Sequence, residues 1–199
     1  MSKWALKCRR CVCKSDPDMR RIGRLVFAGI RCVTIAAFLL PQLPAFAQDV
    51  TEPALKAAFI YNFAKFTEWP ANAVPPAGPF MICVVGDAAV GDALERVVTA
   101  HLLAGRAMAV SNVAPAGPWG VCQILYVSGV PAAQVARLVA GLRDLPVLTI
   151  SDIEGFAQLG GIAQLFFEHG LLRFSIRDEF AKRARLQISS RVLALAKNK

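Results

Sequence analysis

The chain has 199 residues, a formal charge of +9 and a pI near 9.6. Such a balance suggests a nucleic-acid binder, yet nine of the 23 basic residues and two of the 14 acidic ones lie in residues 1–47, so the remainder carries only +2. The charge therefore excludes an electrostatic case for nucleic acid, and the 152 residues from Gln48 suffice for one domain with a substantial core.

Residues 1–47 have the parts of a cleaved secretory signal peptide. Arg20, Arg21 and Arg24 precede an apolar run over residues 25–40, which ends in Pro41, Pro44 and the Ala45-Phe46-Ala47 pattern of a cleavage site. The run is shorter than a bilayer-spanning helix needs and Arg31 interrupts it, so an anchor fits less well. Residues 1–18 do not belong to a normal leader, and Met19 is the expected true start. Cys8, Cys11, Cys13 and Cys32 fall within this segment, which leaves Cys83 and Cys122. In an exported protein an even pair is most simply a disulfide.

The domain over 48–199 begins with a helical pattern over residues 52–68. Leu55, Phe59, Phe63 and Phe66 recur at three- and four-residue steps as one apolar stripe for the core. Pro53 suits the helix start and Pro70 ends it. Residues 71–79 read as a loop. Residues 80–85 form an apolar run expected of a strand covered on both faces. Gly86-Asp87 turns the chain, with Asp87 as a helix cap, and residues 88–104 look helical. Strands are expected over 108–110, 122–127 and 146–150, with a helix over 131–140 between the last two. Ser151 and Glu154 fit a capping box for a further helix. Residues 162–168 and 171–177 flank His169-Gly170 as a β-hairpin, and short helices follow near 178–184 and 189–197. The sum is an α/β fold: a mainly parallel sheet flanked by helices, with a C-terminal hairpin and short terminal helices in one domain.

Catalytic groups are hard to find. His101 and His169 stand alone, without the Asp, Glu or Cys neighbours of a zinc site. Ser128-Gly129 follows a strand but lacks the Gly-x-Ser-x-Gly pattern of a nucleophile elbow. Gly86 to Asp92 could present backbone N–H groups to an anion, yet Asp87 and Asp92 would repel phosphate, and Asp87, Asp92 and Glu95 read as a solvated helix face. Asp178 with Lys182 and Glu179 with Arg183 are spaced for helix-surface ion pairs. Lys182, Arg183, Arg185 and Arg191 could instead meet an acidic partner.

Asn62-Phe63-Ala-Lys65-Phe66-Thr-Glu-Trp69-Pro70, the strand-turn Cys83-Val-Val-Gly86-Asp87, the strand from Cys122 and the ending Leu186-Gln-Ile-Ser189-Ser190-Arg-Val-Leu193 together resemble the YfiR family of bacterial periplasmic proteins. The resemblance spans essentially the whole exported chain. It implies a compact α/β fold, frequent homodimerisation and no catalytic activity; no cofactor is expected, because no partner groups for one accompany the aromatic segment. It further implies a periplasmic repressor that binds the sensor portion of a membrane-anchored diguanylate cyclase, lowers cyclic-di-GMP and biofilm formation, and is itself sequestered by an outer-membrane-associated protein. Cys83 and Cys122 match a family cysteine pair, whereas a second family pair has no counterpart after Cys122. The resemblance transfers no partner-contact residues. A periplasmic small-molecule binder is the rival reading, with its ligand at strand C-terminal ends such as Gly86-Asp87.

Overall fold

Short apolar runs separated by turns assemble here into a six-stranded sheet with helices on both faces, in a computed structural model that describes residues 50–117 and 119–197. The expected leader and the Met19 start lie outside the described residues. In chain order the elements are α1 (Glu52–Lys65), β1 (Thr67–Glu68), β2 (Phe80–Val85), α2 (Ala88–Ala100), β3 (Met108–Asn112), β4 (Ile124–Val127), α3 (Ala132–Leu142), β5 (Leu148–Ser151), β6 (Ala163–Glu168), β7 (Leu171–Ile176), α4 (Asp178–Arg183), β8 (Gln187–Ile188) and α5 (Ser190–Leu195). The large sheet runs β3-β2-β4-β5-β6-β7, parallel as far as β6 and antiparallel at β6–β7. This is the mainly parallel sheet, flanking helices and C-terminal hairpin expected from the sequence.

Strand alternation divides the core in two. Phe80, Ile82 and Val84 of β2 and Ile124 and Tyr126 of β4 face α1, α2 and the C-terminal helices. Cys83, Val85, Leu125 and Val127 face α3 and Phe156 on the other side. Side chains this buried contribute about 1.5–3 kcal/mol each. Cys83 and Cys122 form a disulfide inside this second core, with Cα atoms 5.8 Å apart. Asp87 caps α2 as expected, its Oδ1 accepting from the Val90 N–H at 3.1 Å. His169 and Gly170 both take positive φ, 52° and 75°, which gives the two-residue turn that matches strand twist.

Four local expectations are corrected. The first helix stops at Lys65 rather than residue 68, because Thr67–Glu68 pairs with Gln187–Ile188 from the far end of the chain. Its buried face is Lys56, Ala57, Ile60, Phe63 and Ala64, not the Leu55–Phe59–Phe63–Phe66 stripe. α1 packs closely against α2, and only Phe63 of the stripe is buried, while Leu55 and Phe59 are half-buried and Phe66 is 37% exposed. No helix follows Ser151. That serine ends β5, its hydroxyl donating to the Val127 carbonyl at 2.6 Å and accepting from the Ile153 N–H at 3.0 Å, and residues 153–160 form turns. Finally, Asp178 pairs with Lys182 at 2.6 Å, but Glu179 lies 3.9 Å from Arg177 while Arg183 sits over the Phe180 ring.

Candidate partner-binding groove

The signature segment splits into residues that fasten α1 and residues that face outward. Trp69 fastens it: its indole N–H donates to the Gln123 carbonyl at 3.2 Å, and its ring meets Phe80 edge-on at 4.9 Å. Gln123 is buried at the entrance to β4, where its Oε1 accepts from the Met81 N–H at 2.7 Å and its Nε2 donates to the Ala73 carbonyl at 2.9 Å. One amide side chain thus joins β2, β4 and the loop that Pro70 opens. Nothing in the sequence marks Gln123, since its neighbours read only as a strand.

At the other end of α1, the Lys56 ammonium reaches Glu52 and Asp152, each at 2.6 Å, with its side chain only 8% exposed. Asp152 Oδ2 also accepts from the Tyr126 hydroxyl at 3.0 Å, and Ser128 adds a hydrogen bond. Burial would lower the Lys56 pKa, but the hydrogen bonds and charges of Asp152 and Glu52 outweigh it and hold the ammonium above its ordinary value. Burial would likewise raise Asp152, but Lys56, Ser128 and Tyr126 hold its carboxyl below the usual range. Tyr126 is pushed far up, first by burial and then by the Asp152 charge. The cluster keeps its lysine charged and its tyrosine protonated, which suits a bolt between α1 and the sheet better than acid–base exchange.

Between these fixtures an apolar groove of about 440 Å³ opens beside α1. Phe59, Asn62, Phe63 and Phe66 line one wall, Leu172, Arg173 and Phe174 of β7 the floor, and Val192 and Leu195 of α5 the other wall. Phe59 and Phe63 pack edge-on against Phe174 at 5.8 and 5.2 Å, which fixes the base. Phe66 and Leu195, at 37% and 72% exposure, stand at the mouth. Exposed large apolar side chains gathered round a groove of this size are the usual mark of a contact surface. Asn62, Phe63 and Phe66 therefore come together here. Lys65 is exposed, with its Nζ 5.7 Å from the Tyr61 ring centroid and 5.8 Å from that of Phe66, whereas Trp69 and Pro70 belong to the fastening.

The remaining sequence candidates take structural places. His101 stacks on Tyr61 at 5.3 Å and His169 makes the hairpin turn. Among the described residues no group of three or more His, Cys, Asp or Glu is placed to hold a metal ion. At the Gly86-Asp87 turn, the expected ligand mouth of the rival reading, the two strand ends pass close together: a Cβ on Gly86 would fall 1.9 Å from the Ser128 carbonyl oxygen. Also among the described residues, no helix is long and apolar enough to cross a membrane. In comparisons with known proteins, the family described as YfiR/HmsC-like matches the chain over residues 53–197. No curated protein matches it.

Proposed function

The chain belongs to the YfiR/HmsC-like family, and from that premise we propose that it is a periplasmic, non-enzymatic regulator of cyclic-di-GMP signalling. In this reading a signal peptide cleaved after Ala47 delivers it to the periplasm. There it binds the periplasmic part of a membrane-anchored diguanylate cyclase, holds the cyclase inactive and so lowers cyclic-di-GMP and biofilm formation. An outer-membrane-associated protein relieves repression by sequestering it, and the chain works as a homodimer. The observation that carries the reading is the groove at α1, where Asn62, Phe63 and Phe66 of the family signature open together onto an apolar surface. The buried Cys83–Cys122 bridge supports a structural role for the pair.

Deleting the gene tests the proposal. Cellular cyclic-di-GMP should rise, and a plasmid copy should return it to its starting level. An unchanged level in a strain that expresses an intact cyclase partner would overturn it. N-terminal sequencing of precursor and periplasmic forms tests Met19 and the cleavage after Ala47.

A further inference from the structure

β7 is the last strand of the large sheet, with β6 on one side only. Its pairing register tells which backbone groups are spent. The Arg177 N–H bonds the Ile162 carbonyl, and in an antiparallel pair the bonded positions alternate, so Ser175 and Arg173 also face β6 while Leu172 and Phe174 turn their N–H and C=O groups outward. The Phe174 carbonyl agrees with this, accepting from the Lys197 N–H at 2.8 Å. The Leu172 N–H and C=O and the Phe174 N–H find no hydrogen-bond partner among the described residues. Unpaired groups on an edge strand form a template for another strand, and these three border the groove.

We propose that the groove takes an extended peptide segment of the protein partner, added to the outer edge of β7 as a further strand, with the pattern apolar–acidic–apolar. The inference rests on the groove being the partner face. Residues of an added strand opposite Leu172 and Phe174 point to the same side as those two, toward Phe59, Phe66, Val192 and Leu195. The residue between them points to the other side, beside Arg173, which is exposed and makes no ion pair among the described residues. A carboxylate there completes the cross-strand pair. Charge also argues against a second copy of this chain as the occupant: two-fold pairing centred on this stretch sets Arg173 against its own copy, and directly opposed like charges are destabilising. Main-chain bonds would supply affinity and the alternating side chains specificity, as in other cases of strand addition. The Lys197 rung on the Phe174 carbonyl marks where the added strand stops.

The test uses the chain isolated from the periplasm and a displayed library of random short peptides as the probe. Selected peptides should alternate apolar and acidic residues. On binding, the Leu172 and Phe174 amides should exchange with solvent at least about tenfold more slowly, because opening the complex is then required. Arg173→Glu should weaken the selected peptides by about tenfold, while exchange in β2 and β4 stays unchanged as the control for folding. Peptides that bind without slowing those two amides would show side-chain docking only and overturn strand addition. So would peptides indifferent to Arg173→Glu, a library without winners, or slowing that grows with protein concentration in the absence of peptide, which would mean self-pairing. If deletion of the gene raises cyclic-di-GMP but the edge amides never slow, repression stands and strand addition fails. If the amides slow but cyclic-di-GMP does not change, the peptide site stands and the repressor reading fails.

Discussion

The two ends of α1 reverse the usual placement of residue types. At its N-terminal end a lysine, Lys56, is held inside between Glu52 and Asp152, and at its C-terminal end a phenylalanine, Phe66, stands at the surface. A buried charge persists only when it is paired, so the Lys56 end is fixed to the sheet. An exposed aromatic at a groove is left available for something else. One helix thus carries a structural end and a recognition end, and substitutions should separate the two: changes on the closed side cost stability, and changes at the groove cost binding.

The largest loss is expected in the closed core. Replacing Cys83 and Cys122, 39 positions apart, with serine should lower unfolding free energy by about 4 kcal/mol if chain entropy governs the effect, read from denaturant midpoints. Lys56→Met comes next, at about 3 kcal/mol, because it leaves the Asp152 carboxylate without its cation. Adding Asp152→Asn to Lys56→Met should recover part of that loss, since the stranded charge goes too. A Lys56→Met protein as stable as its parent would remove the distinction between the two ends.

Extremes of pH should act on the Lys56 end of α1 rather than on its groove end. The Asp152 pKa is depressed on folding, so its contribution is present above the ordinary carboxylate value near 4 and is lost as pH falls through the lower folded value. Lys56 has the opposite sign: its raised pKa contributes stability below the ordinary lysine value near 10.4, lost as pH rises through the folded value. Melting temperature against pH should therefore fall at both limits. Lys56→Met should flatten both limbs, and unchanged limbs in that variant would assign the titration to other groups.

Much of the architecture was legible because its signals are local. The β2, β4 and β5 runs, the Asp87 cap and the His169-Gly170 turn depend on neighbours in sequence, and each holds in the structure. Apart from the local re-pairing of Glu179 and Arg183, the failures share a cause in distant contacts. The end of α1 is set by pairing with residues 187–188, and Ser151 is spent on the Val127 carbonyl rather than on a helix start. Lys56 was hidden for the same reason: besides Glu52 on its own helix, the counter-charge that holds it inside lies 96 positions away at Asp152. At the site, the signature marked the right segment, but periodicity alone assigned Phe66 to the core. The groove wall opposite it comes from α5, and a helical stripe cannot report which of its positions a remote element leaves uncovered.

The smallest stability effect and the clearest functional one should coincide at Phe66. Glutamine is the informative replacement, because Phe66 caps the C-terminus of α1, where a carboxylate would meet the negative end of the helix. Partial exposure limits the packing lost, so Phe66→Gln should cost no more than about 1 kcal/mol of stability. If Phe66 anchors the partner, its loss should weaken binding to the periplasmic part of the cyclase by about thirtyfold, the ~2 kcal/mol of an aromatic hot spot. Titration calorimetry and a denaturant curve on the same variant separate the two quantities. Unfolding near 3 kcal/mol easier with binding intact would place Phe66 with Lys56 as a fastening and move the recognition surface elsewhere on the molecule.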